Sequence, residues 1–185
     1  SNVMMAVMMS LMIPRAEASA ERLQEIFSTQ PTIKDSLNPQ VSATHVGLVE
    51  FKDVEFRYPG AEHPVLSDIS FTAEPGKFTA IIGSTGSGKS TILNLIPRLI
   101  EVSKGCVQID GVDVRERSLE NLWATIGFVP QRSLLFKGTI RSNLQFGKAD
   151  ASDDQIWHAL EIAQAREFVE ALPHKLDEDV AQGGT

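Results

Sequence analysis

The sequence is short of cysteine, of excess positive charge and of long apolar runs, and each shortage argues against a class of protein. Cys106 is its single cysteine, which excludes an internal disulfide and a multi-cysteine metal site and favours a reducing compartment. The formal net charge is -7, with no basic run to offset it. Because nucleic-acid binding draws its affinity from clustered lysine and arginine, we expect no nucleic-acid partner.

The rest of the composition is that of an ordinary globular protein. Hydrophobic residues make up 42% and charged residues 22% of the 185 residues, so the chain can bury a core. Its four histidines show no spacing typical of a metal site. At this length we expect one compact domain with an appendage.

The first residues are apolar but too few to cross a membrane alone. Residues 3–13, VMMAVMMSLMI, would span about 16 Å as a helix, against a hydrocarbon core of about 30 Å. We interpret residues 1–28 as the end of a transmembrane helix and its cytoplasmic extension, with Arg15 emerging into water. An amphipathic helix packed on the domain is an alternative. A signal peptide is disfavoured because no basic segment precedes the apolar run.

Residues 29–47 carry two prolines and no periodic apolar face, which predicts a linker. The domain that follows, over residues 48–185, begins with LVEFKDVEFRYPG. Its apolar residues alternate in two phases, which predicts strands joined by a bulge or turn at Lys52 and Asp53. The dipeptide Asp110-Gly111 predicts a hairpin.

Two apolar segments are typical of buried central strands, KFTAIIG at residues 77–83 and TIGFVPQ at residues 125–131. Helical periodicity and stop signals predict four helices, at residues 89–100, 118–124, 152–165 and 165–173. Ser152 and Gln155 have the spacing of a capping box, which marks the start of the third helix.

GSTGSGKST, residues 83–91, lies between a predicted strand and a predicted helix and matches the pattern G-x-x-x-x-G-K-[ST]. Its glycines permit the left-handed dihedrals that turn backbone N–H groups inward and form an anion nest. Lys89 can reach the β- and γ-phosphates, and the Ser90 hydroxyl can coordinate Mg²⁺. We therefore predict a nucleotide phosphate site formed by Gly83, Ser84, Thr85, Gly86, Ser87, Gly88, Lys89, Ser90 and Thr91.

Several motifs agree in order with one family. FRYPG, VLSDISF, GSTGSGKST, IDGVDVR and VPQ follow one another as in the nucleotide-binding domain of ATP-binding cassette (ABC) transporters, particularly exporters, which residues 48–185 resemble. The resemblance implies a P-loop NTPase (RecA-like) core, with an N-terminal antiparallel β subdomain and the start of a helical subdomain. It implies ATP and Mg²⁺ as cofactors, and an intact protein that couples ATP binding and hydrolysis to transport.

The resemblance assigns further site residues. Tyr58 resembles the aromatic that stacks on adenine, and Val65 the apolar residue beside the ribose and base. Gln131 resembles the glutamine that reaches Mg²⁺ and the attacking water. Residues 132–147 resemble the start of the helical subdomain, where Phe136 is a candidate contact for the coupling helices of the transmembrane domain or, equally, a core residue. Tyr58 and Gln131 also have structural alternatives, a core aromatic and a polar strand end.

In the family two nucleotide-binding domains pair head to tail on the cytoplasmic face of the membrane, as homo- or heterodimers. Residues 180–185, VAQGGT, resemble the segment just before the signature motif, with Gln182 where glutamate is frequent. The signature, the Walker B aspartate with its adjoining glutamate, the D-loop and the switch histidine have no counterpart among the 185 residues. We expect these residues alone to have negligible ATPase activity.

Two other functions stay open. The first is a half-site of a heterodimeric transporter that binds ATP without hydrolysing it, and the residue after the Walker B aspartate would separate this from the motor. The second is a soluble ABC protein of repair or translation, which the apolar start disfavours. The transported substrate is unreadable from these residues.

Overall fold

The chain contains both helices and strands, as an α/β protein does. The computed structural model describes residues 2–183 and divides after Gly127 into a first and a second unit, each with its own core. The first unit contains α1 Asn2–Ser28, β1 Val49–Phe56, β2 Leu66–Ala73, α2 Lys89–Leu95, β3 Lys104–Ile109, β4 Val112–Asp113, a 3-10 turn Val114–Glu116 and α3 Leu119–Ala124. The second contains β5 Gly138–Thr139, α4 Ile140–Leu144, α5 Asp153–Ile162, α6 Arg166–Glu170, a 3-10 turn Lys175–Asp177 and β6 Asp179–Val180.

The first unit is built on an antiparallel sheet with the strand order β2-β1-β3-β4. Phe51, Val54 and Phe56 of β1 are buried in the core, where Phe51 stacks on Phe71 of β2 with ring centroids 4.5 Å apart. Leu95 of α2 and Leu122 of α3 are buried in the same core. The sheet therefore carries both helices, and with them the glycine-rich loop that precedes α2.

The predicted bulge in β1 is confirmed. The register shifts between Phe51 and Val54 against β2, and between Lys52 and Glu55 against β3. Asp53 has φ 47°, which is unusual for a residue with a side chain. The bulge brings the β1 backbone close to Gly105 of β3.

The predicted hairpin is also confirmed, because β3 and β4 pair on either side of Asp110-Gly111. Asp110 has φ 52° and Gly111 has φ 78°, the two left-handed residues that a type I′ turn requires. The Asp110 carboxylate accepts hydrogen bonds from the backbone N–H groups of Gly47 and Leu48, at 2.9 and 2.8 Å. The turn thus fixes the entry into β1.

The prediction of two buried central strands is wrong for the described residues. Residues 77–83 and 125–131 lie outside any strand, and Phe78, Ile82 and Val129 are almost fully exposed. The apolar runs indicated burial, but a strand also needs neighbours for its N–H and C=O groups. No described strand pairs with either segment.

α1 is one helix of 27 residues with Pro14 inside it. Every α1 side chain that the structure describes is exposed. The alternative of a helix packed on the domain stays a prediction. The side chain of Arg15 lies outside those described. Among the described residues, no helix has both the length and the apolar character of a membrane span.

Residues 29–47 contain no helix or strand, as expected of a linker, but hydrogen bonds attach them to the sheet and its connections. The Gln40 N–H donates to the Glu116 carbonyl at 2.7 Å, and the buried Ser42 hydroxyl donates to the Asp110 carbonyl at 2.9 Å. The linker therefore follows the surface of the first unit.

The second unit is a small helical cluster around Ile156, Leu160, Val169 and Leu176. The predicted capping box of Ser152 and Gln155 is confirmed at the start of α5. Arg141 of α4 donates to the carboxylates of Asp153 and Asp177, which ties α4 to α5 and to the 3-10 turn. Its hydrogen bond holds the pKa of Asp177 below the usual range of an aspartate.

Gly105 should be intolerant of any side chain, because a Cβ there would lie 2.3 Å from the Lys52 carbonyl oxygen and 2.4 Å from that of Asp53. We predict that Gly105→Ala lowers the free energy of unfolding by about 2 kcal/mol or more, from collision plus the strain of its left-handed φ. Gly111→Ala is the matched control, since its φ is also left-handed but no described residue other than its two chain neighbours comes within 4 Å of the new Cβ. Its cost should be about 1 kcal/mol. Urea unfolding of both variants measures the difference, and equal costs would contradict the collision.

Candidate functional site

The glycine-rich loop turns tightly into α2. Gly86 and Gly88 have φ 83° and 87°, and Gly88 is the N-cap of the helix, so Lys89 is its first residue. The Ser87 N–H donates to the Ser84 carbonyl at 3.3 Å and closes the turn. Two left-handed glycines in this arrangement turn successive N–H groups toward one side, as anion binding requires.

Gly88 has a second requirement that the motif alone does not reveal. A Cβ on Gly88 would lie 2.7 Å from Cδ2 of Leu66, the first residue of β2. The loop is therefore packed directly against the buried end of that strand. Nothing in the sequence indicates this role of Leu66 except the apolar start of the β2 segment.

The Lys89 ammonium contacts the loop itself. Nζ donates to the carbonyl oxygens of Gly83 and Ser84 at 2.9 and 2.6 Å, and lies 3.4 Å from the Ser87 hydroxyl. These neutral acceptors hold the positive charge of the Lys89 ammonium within the turn. A phosphate bound in the loop would compete for the same donors with a full negative charge, which makes the stronger hydrogen bond.

The loop borders a cavity of about 340 Å³ whose lining includes two residues from outside the motif. It is lined by Tyr58, Val65, Gly86, Gly88, Lys89, Ser90 and Thr91. A wider cavity of about 570 Å³ lies beside the linker and the hairpin, but its lining, as far as the structure describes it, holds no lysine or arginine. The chemistry of a phosphate therefore favours the smaller one.

Tyr58 and Val65 flank the connection between β1 and β2. The Tyr58 ring packs edge-on against Phe56, with centroids 4.8 Å apart, and 46% of the residue is exposed. Val65 donates its N–H to the Phe56 carbonyl at 2.8 Å and is 39% exposed. Both residues are thus held in place by Phe56 and remain partly exposed at the cavity. Their roles toward a base and ribose stay predictions.

Gln131 belongs to the second unit, where it is exposed in a bend outside the helices and strands. Its role toward Mg²⁺ and water stays a prediction. In the same unit Phe136 and Phe146 pack on each other, with ring centroids 4.6 Å apart, and are 47% and 69% exposed. Phe136 is therefore not a buried core residue.

The side-chain oxygens at the cavity suit a metal ion whose other ligands are waters and the phosphate oxygens of a bound nucleotide. Ser90 and Thr91 supply hydroxyl groups, and none of the described residues that line the cavity carries a carboxylate. Within residues 2–183, no group of three or more histidine, cysteine or acidic side chains is arranged to hold a metal. Mg²⁺ keeps several waters and takes phosphate oxygens, so one hydroxyl from the chain is compatible with it.

The chain is similar in sequence to known ATP-binding proteins. The family described as ABC transporter matches residues 66–183. An uncharacterized ABC transporter ATP-binding protein of Mycobacterium tuberculosis is 47% identical over 98% of this chain and 32% of its own length. The ATP-dependent lipid A-core flippase of Xanthomonas campestris is 42% identical over 94% of this chain and 29% of its own length.

A solved structure of a bacterial Atm1-family ABC exporter with ATP bound superimposes with a TM-score of 0.84 at 30% identity, over 93% of this chain and 30% of that one. The chain thus spans about a third of the length of the proteins it matches. The family match and the superposition confirm the predicted α/β fold of the P-loop NTPase class. This chain belongs to the ABC transporter family.

Proposed function

We propose that this chain is the ATP-binding part of an ABC exporter whose intact form couples ATP binding and hydrolysis to transport across a membrane. The observation that carries the proposal is the cavity in which Lys89, Ser90 and the left-handed glycines lie with Tyr58. A cation, a hydroxyl and turned amides suit a triphosphate with Mg²⁺, and a flat aromatic suits a base.

In this proposal each part of the nucleotide has its own partner. The loop amides and the Lys89 ammonium bind the phosphates, and the Lys89 donors exchange loop carbonyls for phosphate oxygens. Ser90 holds Mg²⁺, and Gln131 reaches the metal and the attacking water. Tyr58 stacks on adenine, and Val65 contacts the ribose and base.

The resemblance to exporters and the apolar residues of α1 support a membrane location and two protein partners. Residues 3–13 are the end of a transmembrane helix, and the linker leads to a nucleotide-binding domain on the cytoplasmic face. A second such domain closes the ATP site head to tail, and the coupling helices of the transmembrane domain contact the second unit near Phe136. The exposed apolar side chains of α1, such as Met4, Met8 and Met12, support a partner or a lipid environment for this helix.

We predict that Lys89→Ala abolishes the heat of Mg·ATP binding in isothermal titration calorimetry, because the loop would keep its amides but lose its cation. Lys77→Ala is the control, since Lys77 pairs with Glu74 on the surface and does not line the cavity. Binding that survives in Lys89→Ala, or that is lost equally in both variants, would contradict the proposed site.

Tyr58 tests the base end of the site separately. We predict that Tyr58→Ala weakens Mg·ATP binding by roughly 5- to 150-fold, from the loss of about 1–3 kcal/mol of stacking. Tyr58→Phe should bind like the wild type, because the stacking face is kept and only the hydroxyl is removed. The affinity for inorganic triphosphate should be unchanged in both variants, because it has no base to stack. An equal loss in Tyr58→Phe would show that the hydroxyl, and not the ring, matters.

ATP hydrolysis needs more than a nucleotide site. In-line phosphoryl transfer needs an oriented water and stabilisation of the γ-phosphate charge, and these 185 residues contain only part of that apparatus. We predict negligible phosphate release from the isolated 185-residue polypeptide, and release from the full-length protein that Lys89→Ala abolishes. A malachite-green assay measures both. Robust release from the polypeptide alone would refute the first half.

A further inference from the structure

The end of α2 that lies away from the phosphate loop is held by unusual residues. α2 has only seven residues, about 10 Å of helix, and begins with Lys89 of the loop. Shortly after its end, Arg98 has φ 54° and is only 6% exposed. A non-glycine residue keeps a left-handed backbone only where its surroundings hold it there.

Three hydrogen bonds join this end of α2 to the linker and to α3. Arg98 Nη2 donates to the Lys34 carbonyl at 2.8 Å, and the Leu119 N–H donates to the Asp35 carboxylate at 2.7 Å. The indole N–H of Trp123 donates to the Pro97 carbonyl at 2.8 Å. The end of α2, the linker and α3 are thereby each bonded to the other two. We call this set the α2 junction, formed by Lys34, Asp35, Pro97, Arg98, Leu119 and Trp123.

The contacts of the α2 junction satisfy groups that need partners. Arg98 also pairs with Glu101, with Nε 2.8 Å from its carboxylate, but Arg98 Nη1 has no partner among the described residues. A buried guanidinium with an unmade bond depends strongly on the bonds it does make. Leu119 is the first residue of α3, and its N–H is one of the helix donors that lack an intrahelical acceptor. Asp35 supplies that acceptor.

The linker also lies behind the proposed base site. Thr32 and Ile33 line a cavity of about 240 Å³ together with Phe56, Arg57, Tyr58, Pro59, Leu99, Ile100 and Glu101. Tyr58 therefore lies between this cavity and the one at the phosphate loop. Within residues 32–35, Thr32 and Ile33 therefore line a cavity beside Tyr58, and Lys34 and Asp35 bond to the α2 junction.

We propose that Asp35 and Arg98 are positioning residues for the phosphate loop, and that they couple the loop to the linker that follows α1. This inference rests on the proposed function, because it takes the loop to be a nucleotide site. α2 is too short to bend appreciably, so a shift at Arg98 moves the loop at its other end. By the reciprocity of coupling, a nucleotide that fixes the loop also fixes the linker.

Hydrogen-exchange mass spectrometry of the purified full-length protein, with and without Mg·ADP, tests this coupling. We expect Mg·ADP to slow exchange in peptides covering residues 83–98, and also in peptides covering residues 29–47 and 119–124. Asp35→Ala should keep the slowing at 83–98 and lose it at 29–47. Arg98→Ala should have the same effect, and Asp35→Ala keeps the inference testable if Arg98→Ala does not fold.

Two matched variants separate the bonds from general damage. Lys34→Ala removes a side chain but keeps the carbonyl that Arg98 uses, so the linker should respond to Mg·ADP as in the wild type. Asp35→Asn keeps an oxygen that can accept the Leu119 N–H, so it should restore the response that Asp35→Ala loses. Slowing at 83–98 with none at 29–47 in the wild type, or a linker response that persists in Asp35→Ala, overturns the inference. Absence of slowing at 83–98 in the wild type overturns the proposed nucleotide site itself.

Discussion

The left-handed backbone at Gly88, packed against Leu66, is the constraint on which the site depends. It leaves no room for a Cβ, with Leu66 Cδ2 2.7 Å from where that atom would be. Because Leu66 is buried at the start of β2, the shape of the loop is set by the core of the antiparallel sheet. Lys89 and Ser90 take their positions from that shape, since they open the helix that Gly88 caps. The phosphate site is thus an extension of ordinary core packing.

Sequence predicted the features that neighbouring residues determine. The bulge at Lys52 and Asp53, the turn at Asp110-Gly111 and the capping box at Ser152 depend on local dihedrals and on side chains three residues away. The strand predictions for residues 77–83 and 125–131 were wrong for the opposite reason, because a strand depends on partners that are distant in sequence. α2 ends at Leu95, short of the predicted residue 100, since Pro97 has no N–H with which to continue the helix.

The same distinction applies to the site. The loop at residues 83–91 was readable because its glycines, lysine and serine are contiguous. Tyr58 and Val65 were assigned by resemblance to a family, and the structure places both at the loop cavity. Asp35 gave no signal, because its partner Leu119 lies 84 residues away and an acidic residue in a linker is ordinarily solvated. Contacts of this kind depend on the fold and leave no periodic pattern.

A linker without regular structure is usually understood as a flexible tether, and here its hydrogen bonds argue for a different mechanical role. Arg98, Glu116, Asp110 and the α3 N-terminus each bond to a linker residue between 34 and 42. Such repeated attachment resists separation of the linker from the first unit more than any one surface bond would. α1, by contrast, has only exposed side chains among those described. A displacement of α1 would therefore pass along the linker and reach the first of these hydrogen bonds at Arg98, beyond the end of α2, which places the phosphate loop early in the path of any signal from that helix.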